Sequence, residues 1–277
     1  MGNYIKIQDI HHIYNAESNN PVHALTGIDL NIGQNETVAI IGQNGSGKTT
    51  FVKHLNSLLK PSSGLVEVNG INVVKTPVDE MARVVGFAFQ NPDDQLFNAT
   101  VRSEIHFGPK NIGMDGNKAR EMEAYAAEIT GLSEMLDENP YDLVYSVRKL
   151  VAIASVIAMD SAFLILDEPT TGQDYRGMMM MGKMIKSLQA KGKTIITITH
   201  DMDFVANNFE RTVVLCQGKK LLDGPTYEVL DKTEELKKSR VKPPYLTLLG
   251  QKLNFKKPAY SVESFYEYFK EIKLQED

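Results

Sequence analysis

Cysteine, long apolar runs and an excess of charge of either sign are all scarce in this chain. Cys216 is the sole cysteine in 277 residues, which excludes a disulfide framework and fits a reducing compartment. No apolar stretch approaches the roughly 18 residues needed to span a bilayer, and the opening residues carry no signal-peptide pattern. The expected location is therefore cytosolic or peripheral to a membrane, with any membrane role passing through a partner. A net charge of −5 over this length is nearly neutral and lacks the basic face of a duplex binder, so no nucleic acid is expected as a partner. The one local basic bias (Lys237, Lys238, Arg240 and Lys242, then Lys252, Lys256 and Lys257) reads as a solvated face. The length suits one large core with a smaller attached unit.

What the chain does have is a glycine-rich loop in the right setting. Gly42-Gln43-Asn44-Gly45-Ser46-Gly47-Lys48-Thr49 fits the pattern of a glycine, four residues and Gly-Lys-Thr. Before it, Thr37 to Ile41 is short, apolar and β-branched, as a buried strand would be. After it, Thr49 to Leu59 carries Phe51, Val52, Leu55, Leu58 and Leu59 at helical spacing. A strand, a glycine loop and a helix N-terminus together make an anion site, because backbone N–H groups turn inward and the helix dipole adds favourable potential. Gly42 through Thr50 are the candidate ATP-binding residues. Lys48 would reach the β- and γ-phosphates, and the Thr49 hydroxyl would hold Mg²⁺.

Strand signals at Tyr4 to Ile7, Leu30 to Ile32, Val66 to Val68 and Val84 to Phe89 give way to helical patterns at Lys118 to Thr130 and Ser146 to Met159. Strands return at Phe163 to Leu166, Thr194 to Thr199 and Thr212 to Cys216, with helical segments between them. This alternation predicts an α/β fold with a parallel sheet covered on both faces, interrupted by a helical insertion over about 91–160. From Thr233 a Lys- and Pro-rich stretch leads to an aromatic-rich terminal helix, Ser261 to Leu274.

Phe163-Leu164-Ile165-Leu166 ends in Asp167-Glu168. A buried strand would deliver Asp167 to the mouth of the loop to anchor Mg²⁺ through water, leaving Glu168 to polarise an attacking water. Two adjacent acids at a strand end are often only a cap; here they follow a phosphate loop and lead into Pro169-Thr170-Thr171-Gly172-Gln173-Asp174.

On these motifs the chain resembles the nucleotide-binding subunit of an ABC transporter, over about residues 4 to 230. The resemblance implies a P-loop NTPase fold: a RecA-like parallel sheet, an N-terminal antiparallel β subdomain and an inserted α-helical subdomain. It divides the chain into an ATP-binding domain at 1–232 and a small C-terminal helical dimerisation extension at 233–277. Tyr14 matches the aromatic that stacks on adenine, and Gln90 the glutamine that touches Mg²⁺ and water and links the site to a membrane partner. Asp174 matches the D-loop acid, and His200 the switch histidine that contacts the γ-phosphate. The implied catalytic set is Glu168, His200 and Gln90, and the implied Mg²⁺ set is Thr49, Gln90 and Asp167. A narrower likeness, carried by Phe89-Gln90-Asn91-Pro92-Asp93-Asp94-Gln95-Leu96-Phe97 and Phe107-Gly108-Pro109, is to the ATPases of energy-coupling factor transporters. These take up vitamins and cobalt or nickel ions. That family implies a second ABC ATPase, a transmembrane coupling protein and a separate substrate-capture membrane component as partners, at the cytoplasmic face of the cell membrane.

One segment departs from the family. Aligned through Val151-Ala152-Ile153-Ala154, the chain carries Leu143-Val144-Tyr145-Ser146-Val147 where the family has Leu-Ser-Gly-Gly-Gln. There the family donates backbone N–H groups and a hydroxyl to ATP held by the opposite subunit. Val144 has no hydroxyl, and Tyr145 brings a ring where close backbone approach is wanted. The expectation is a heterodimer in which a sibling's intact signature completes this chain's own site. Two alternatives are a regulatory subunit that binds ATP with little hydrolysis, which Glu168 and His200 oppose, and a soluble ABC ATPase, which the length disfavours. His11-His12 and Met178 to Met181 are expected to be structural, since adjacent strand residues face opposite ways and the methionines encircle their helix.

Overall fold

A computed structural model describes residues 4–276, with side chains described as far as residue 271; Met1 to Asn3 and Asp277, at the two ends of the expected domains, lie outside the described residues. Among the described residues ten strands form two sheets. The first is antiparallel, in the order β2-β1-β4-β5, from β1 (Ile5–Tyr14), β2 (Val22–Ile32), β4 (Ser63–Val68) and β5 (Ile71–Asn72). The second has the order β10-β9-β3-β8-β7-β6, from β3 (Thr37–Ile41), β6 (Val85–Ala88), β7 (Phe163–Asp167), β8 (Thr194–Ile198), β9 (Arg211–Cys216) and β10 (Lys219–Pro225). All pairs in it are parallel except the β9–β10 hairpin.

In the second sheet β3, β7 and β8 are buried on both faces, which is why they read as apolar, β-branched runs, interrupted only by Thr197 in β8. Side chains alternate between two cores. Val38, Ile40, Phe163, Ile165, Ile196 and Ile198 face the antiparallel sheet together with Phe51, Val52 and Leu55 of α1 (Lys48–Leu55). Ala39, Ile41, Leu164, Leu166, Ile195 and Val214 face the helical side. The helix after the glycine loop is shorter than the sequence pattern predicts: it ends at Leu55, where Asn56 and then Ser57, at φ 63°, turn the chain.

The helical insertion is built from α3 (Val101–Asn111), α4 (Gly116–Ile129) and α5 (Tyr145–Ile157), preceded by the one-turn α2 (Val78–Ala82). Helices α6 (Tyr175–Ala190) and α7 (Met202–Asn208) complete the parallel sheet's cover. Beyond the hairpin come α8 (Thr226–Asp231), α9 (Thr233–Lys238), α10 (Tyr245–Lys252) and α11 (Val262–Glu276). Val229, Leu230, Leu236 and Val241 join the helical-side core, and Tyr260 Oη donates to the Tyr227 carbonyl at 2.7 Å. Among the described residues no helix is long and apolar enough to cross a membrane. The fold is that of a P-loop NTPase.

The sheet order explains the placement of the site. With β3, β8, β7 and β6 adjacent and parallel, the loops at their carboxyl ends lie side by side, the usual position for ligands on such sheets. Those loops carry Gly42 to Gly47, His200, Asp167-Glu168 and Gln90 respectively.

Candidate functional site

The glycine loop is held open by its glycines and anchored from behind. A Cβ on Gly42 would lie 2.2 Å from the Leu215 carbonyl oxygen, and one on Gly47, at φ 99°, 2.7 Å from that of Ala24. Both contacts forbid a side chain, so the backbone can turn its amides inward only with glycine at these positions. Gly218 N–H donates to the Ser46 carbonyl at 3.1 Å, tying the loop to the β9–β10 turn. Lys48 Nζ donates to the carbonyls of Gly42 (2.8 Å) and Gln43 (2.9 Å). Burial lowers its pKa, an effect opposed by Glu168 and Asp167.

Asn44, Gly45, Gly47, Lys48, Thr49, Thr50, Gln90, Asp167, Glu168 and Ile198 line one cleft of about 260 Å³. Asp167 is buried and its Oδ1 has no hydrogen-bond partner among the described residues. Burial, and secondarily Glu168, pushes its pKa up to about 6, against Lys149, Lys53 and Lys48. An orphaned, buried carboxylate oxygen beside a hydroxyl and an amide is a donor set that fits a hard cation. Among the described residues no group of three His, Cys, Asp or Glu forms a closed metal site.

Glu168 sits in the left-handed backbone region at φ 48°, a conformation costing about 1–3 kcal/mol for a non-glycine residue. Its N–H donates to the Ile198 carbonyl at 2.8 Å, which holds the turn and aims the carboxylate at the cleft. Glu168 Oε2 lies 2.9 Å from His200 Nδ1, while the His200 ring is 76% exposed. His200 itself borders an adjoining cavity with Gly42, Gln43, Asn44, Arg240 and Lys242. Cationic side chains of the C-terminal segment, read above as solvated, thus flank the phosphate loop. Tyr14 lies outside the cleft: its hydroxyl is 3.2 Å from Thr50 Oγ1 and its ring meets His12 edge-on at 4.4 Å.

A strand-ordered phosphate loop, a buried Asp-Glu pair and a histidine on the glutamate reproduce the features that suggested the family. The sequence matches the family described as ABC transporter over residues 25–171. The chain belongs to the ABC transporter family of ATP-binding proteins. The energy-coupling factor transporter ATP-binding protein EcfA2 of Clostridium perfringens is 38% identical over 266 residues, covering 94% of this chain and 93% of the relative. TTE1589 of Caldanaerobacter subterraneus, a putative ABC transporter ATP-binding protein, is 39% identical over 249 residues, and the chain spans only 43% of its length. Among solved structures, CbiO1 of Clostridium perfringens, described as part of the ABC transporter complex CbiONQ, has a TM-score of 0.76 at 32% identity. The match covers 92% of this chain and 100% of that one.

Asp174, expected from the sequence to be the D-loop acid, caps α6, its Oδ1 accepting from Gly177 N–H at 2.8 Å. The segment in place of the family signature is arranged differently from the sequence expectation. Val144 is the N-cap of α5, makes no side-chain capping bond and is 66% exposed. Tyr145, expected to obstruct an opposite subunit, turns instead onto its own chain. Its hydroxyl donates to the Gln90 carbonyl at 3.4 Å, and its ring covers Gly172. Ser146 and Val147 are half-buried, and the Ser146 carbonyl accepts from Gln173 Nε2 at 2.9 Å.

Sequence reasoning passed over Lys149. It is 1% exposed in a helix of otherwise apolar inward residues and donates to the carbonyls of Gln90 and Asp167, the latter at 3.3 Å. Burial pulls its pKa down to about 8, against Asp167 and Glu168. The available signal was a lysine directly before the apolar run Leu150 to Ala154, although Arg148 beside it made the pair read as a solvated start to the run.

Proposed function

We propose that this chain is the ATP-hydrolysing subunit of an energy-coupling factor type importer. Residues 1–232 would form the ATP-binding domain, and 233–277 a dimerisation extension. The observation carrying the reading is Glu168, strained toward the cleft and hydrogen-bonded to His200, one residue beyond an orphaned Asp167 oxygen. Mg²⁺ would be held by Thr49 and Asp167, with Gln90 at the rim, and would supply charge neutralisation on the phosphates. Loop amides and Lys48 hold the triphosphate. Glu168 accepts the proton of the attacking water as its oxygen bonds to the γ-phosphorus, the bridging oxygen–phosphorus bond breaks, and ADP and phosphate leave. His200 fixes the glutamate and faces the γ-phosphate, and Tyr14 offers a ring to adenine.

Partners follow from surfaces. Phe87, Phe89, Phe97, Phe107, Val156 and Met159 line an apolar groove of about 370 Å³ between the end of β6 and the helical insertion. Phe97 and Phe107 are exposed and meet edge-to-face at 4.6 Å. Such a groove fits an apolar helix of a transmembrane coupling protein and adjoins Gln90, so the chain would sit peripherally on the cytoplasmic face of the membrane. A separate capture component would carry the vitamin or transition-metal ion, and a second ABC ATPase would complete the ATP site as a heterodimer.

The test is Glu168→Gln in the co-purified complex. Loss of a general base predicts a fall in ATP turnover of about a hundredfold or more, with ATP binding retained. Unchanged turnover would eliminate Glu168 as the base and favour a subunit that only binds nucleotide.

A further inference from the structure

The segment replacing the family signature makes a set of bonds within its own chain that no family role requires. Five contacts converge from it and from Lys149, two residues further along α5. Lys149 Nζ donates to the Gln90 carbonyl and, at 3.3 Å, to the Asp167 carbonyl. Tyr145 Oη donates to the same Gln90 carbonyl at 3.4 Å. A Cβ on Gly172, at φ 77°, would stand 2.8 Å from Tyr145 Cδ1, so the ring lies flush on the loop following Glu168. Gln173 Nε2 donates to the Ser146 carbonyl at 2.9 Å. From the other side, Arg148 Nε lies 3.5 Å from Asp93, and Gln95 bridges the Phe89 N–H (3.0 Å) to the Ala152 carbonyl (2.7 Å).

We propose that Tyr145 and Lys149 form an intramolecular bracket that fixes the Gln90 loop against the Asp167-Glu168 strand end, making Lys149 a positioning residue for hydrolysis at this chain's own site. The inference rests on the proposed role of that site. The bracket joins the helical insertion to the catalytic strand through the one carbonyl that both side chains share. A buried ammonium between two main-chain carbonyls has no need of a carboxylate partner and costs desolvation, so its energy is realised as geometry. The arrangement also accounts for Tyr145 in place of a small residue: the ring is used inward, onto Gly172, and leaves Val144 facing out. The diverged segment has thereby exchanged a contact across subunits for a contact between two loops of one subunit.

The experiment uses the chain in its co-purified transporter complex, with ATP dissociation constant, kcat, KM and melting temperature measured for each variant. Lys149→Met should lower kcat about tenfold, as expected for a lost charge-assisted hydrogen bond acting on the reacting geometry. Its ATP dissociation constant should stay within about twofold of the parent's, and its melting temperature should hold because methionine fills a buried lysine's space. Tyr145→Phe, which removes only the hydroxyl, should lower kcat about threefold with the same unchanged affinity. In a Gln90→Ala background, which keeps the accepting main-chain carbonyl but removes the side chain that the bracket positions, Lys149→Met should cost less than about twofold. Equal losses in both backgrounds, or a joint fall of kcat, affinity and melting temperature, would overturn the bracket and leave Lys149 a packing residue. Failure of the site reading itself would show separately, as turnover surviving Glu168→Gln.

Discussion

His54 is fully buried under the antiparallel sheet, one turn beyond the phosphate loop. Its Nδ1 lies 2.7 Å from the Thr50 carbonyl, which can only accept, so Nδ1 carries the proton and Nε2 is left to accept from His12 Nδ1 at 3.1 Å. A second proton on His54 would point N–H at N–H. Burial holds its pKa down to about 4, with the Thr50 carbonyl opposing and His12 reinforcing the shift. The unfolded chain therefore binds a proton in the window between about 6.5 and 4 that the folded chain refuses, and stability falls as pH drops through that window. The shift is worth about 3 kcal/mol once both states lie below the folded value. Melting curves of the parent and His54→Phe from pH 7 to 4 should diverge, the variant losing less; parallel curves would remove His54 as the cause. The sequence placed His11 and His12 on opposite strand faces, and they are: His11 meets Asp9 at 3.1 Å outside, His12 turns in. Nothing local announced His54 as the partner, because the pair is closed by packing β1 on α1 across 42 residues.

Helices and strands differed in how openly the sequence declared them, and burial explains the difference. Strands β3, β7 and β8 were legible because both faces are covered, leaving apolar, β-branched runs in which the only polar interruption is the buried Thr197. Their order was not, since parallel pairing leaves no turn to read; it is the order that brings Gln90, Asp167 and Glu168 into one cleft with Lys48. Helix α3 went unread because Gly108 and Pro109 interrupt its pattern. Both are tolerated: a Cβ on Gly108 would press to 2.6 Å on Met159 Cγ, and Pro109 falls in the last turn. What starts α3 is a reciprocal cap. Thr100 Oγ1 accepts from Ser103 N–H at 3.1 Å and Ser103 Oγ accepts from Thr100 N–H at 3.0 Å. Thr100→Ala removes one arm and should cost about 1 kcal/mol in urea unfolding, with no change in ATP affinity because α3 does not reach the cleft. Unaltered stability would mean that α3 is held by its core contacts alone.

At the scale of the whole molecule, the function proposed above gives this chain one half of a catalytic site and little with which to complete another. Its loop, Asp167, Glu168 and His200 converge, while its α5 N-terminus offers an exposed Val144 where a hydroxyl would be needed and commits Tyr145 to Gln90 and Gly172. Two copies of this chain facing each other would therefore place a poor cap over each ATP. A missing preorganised donor costs about a hundred- to a thousandfold in rate at comparable transition states, and more than one donor is replaced here. Tyr245, Leu249, Leu253 and Tyr266 on the C-terminal helices are exposed, and the phenylalanine groove lies beside Gln90; in the proposed assembly these are the surfaces left for other chains. ATPase activity of the purified chain should accordingly fall at least about a hundredfold below that of the complex co-purified with its sibling ATPase. Within that complex, Lys48→Ala in this chain should abolish most turnover, while Val144→Ala should matter little, because Val144 is exposed and in the proposed heterodimer the productive site draws its cap from the sibling. Robust turnover by the chain alone would mean that α5 caps ATP after all, and would return the homodimer as the working unit.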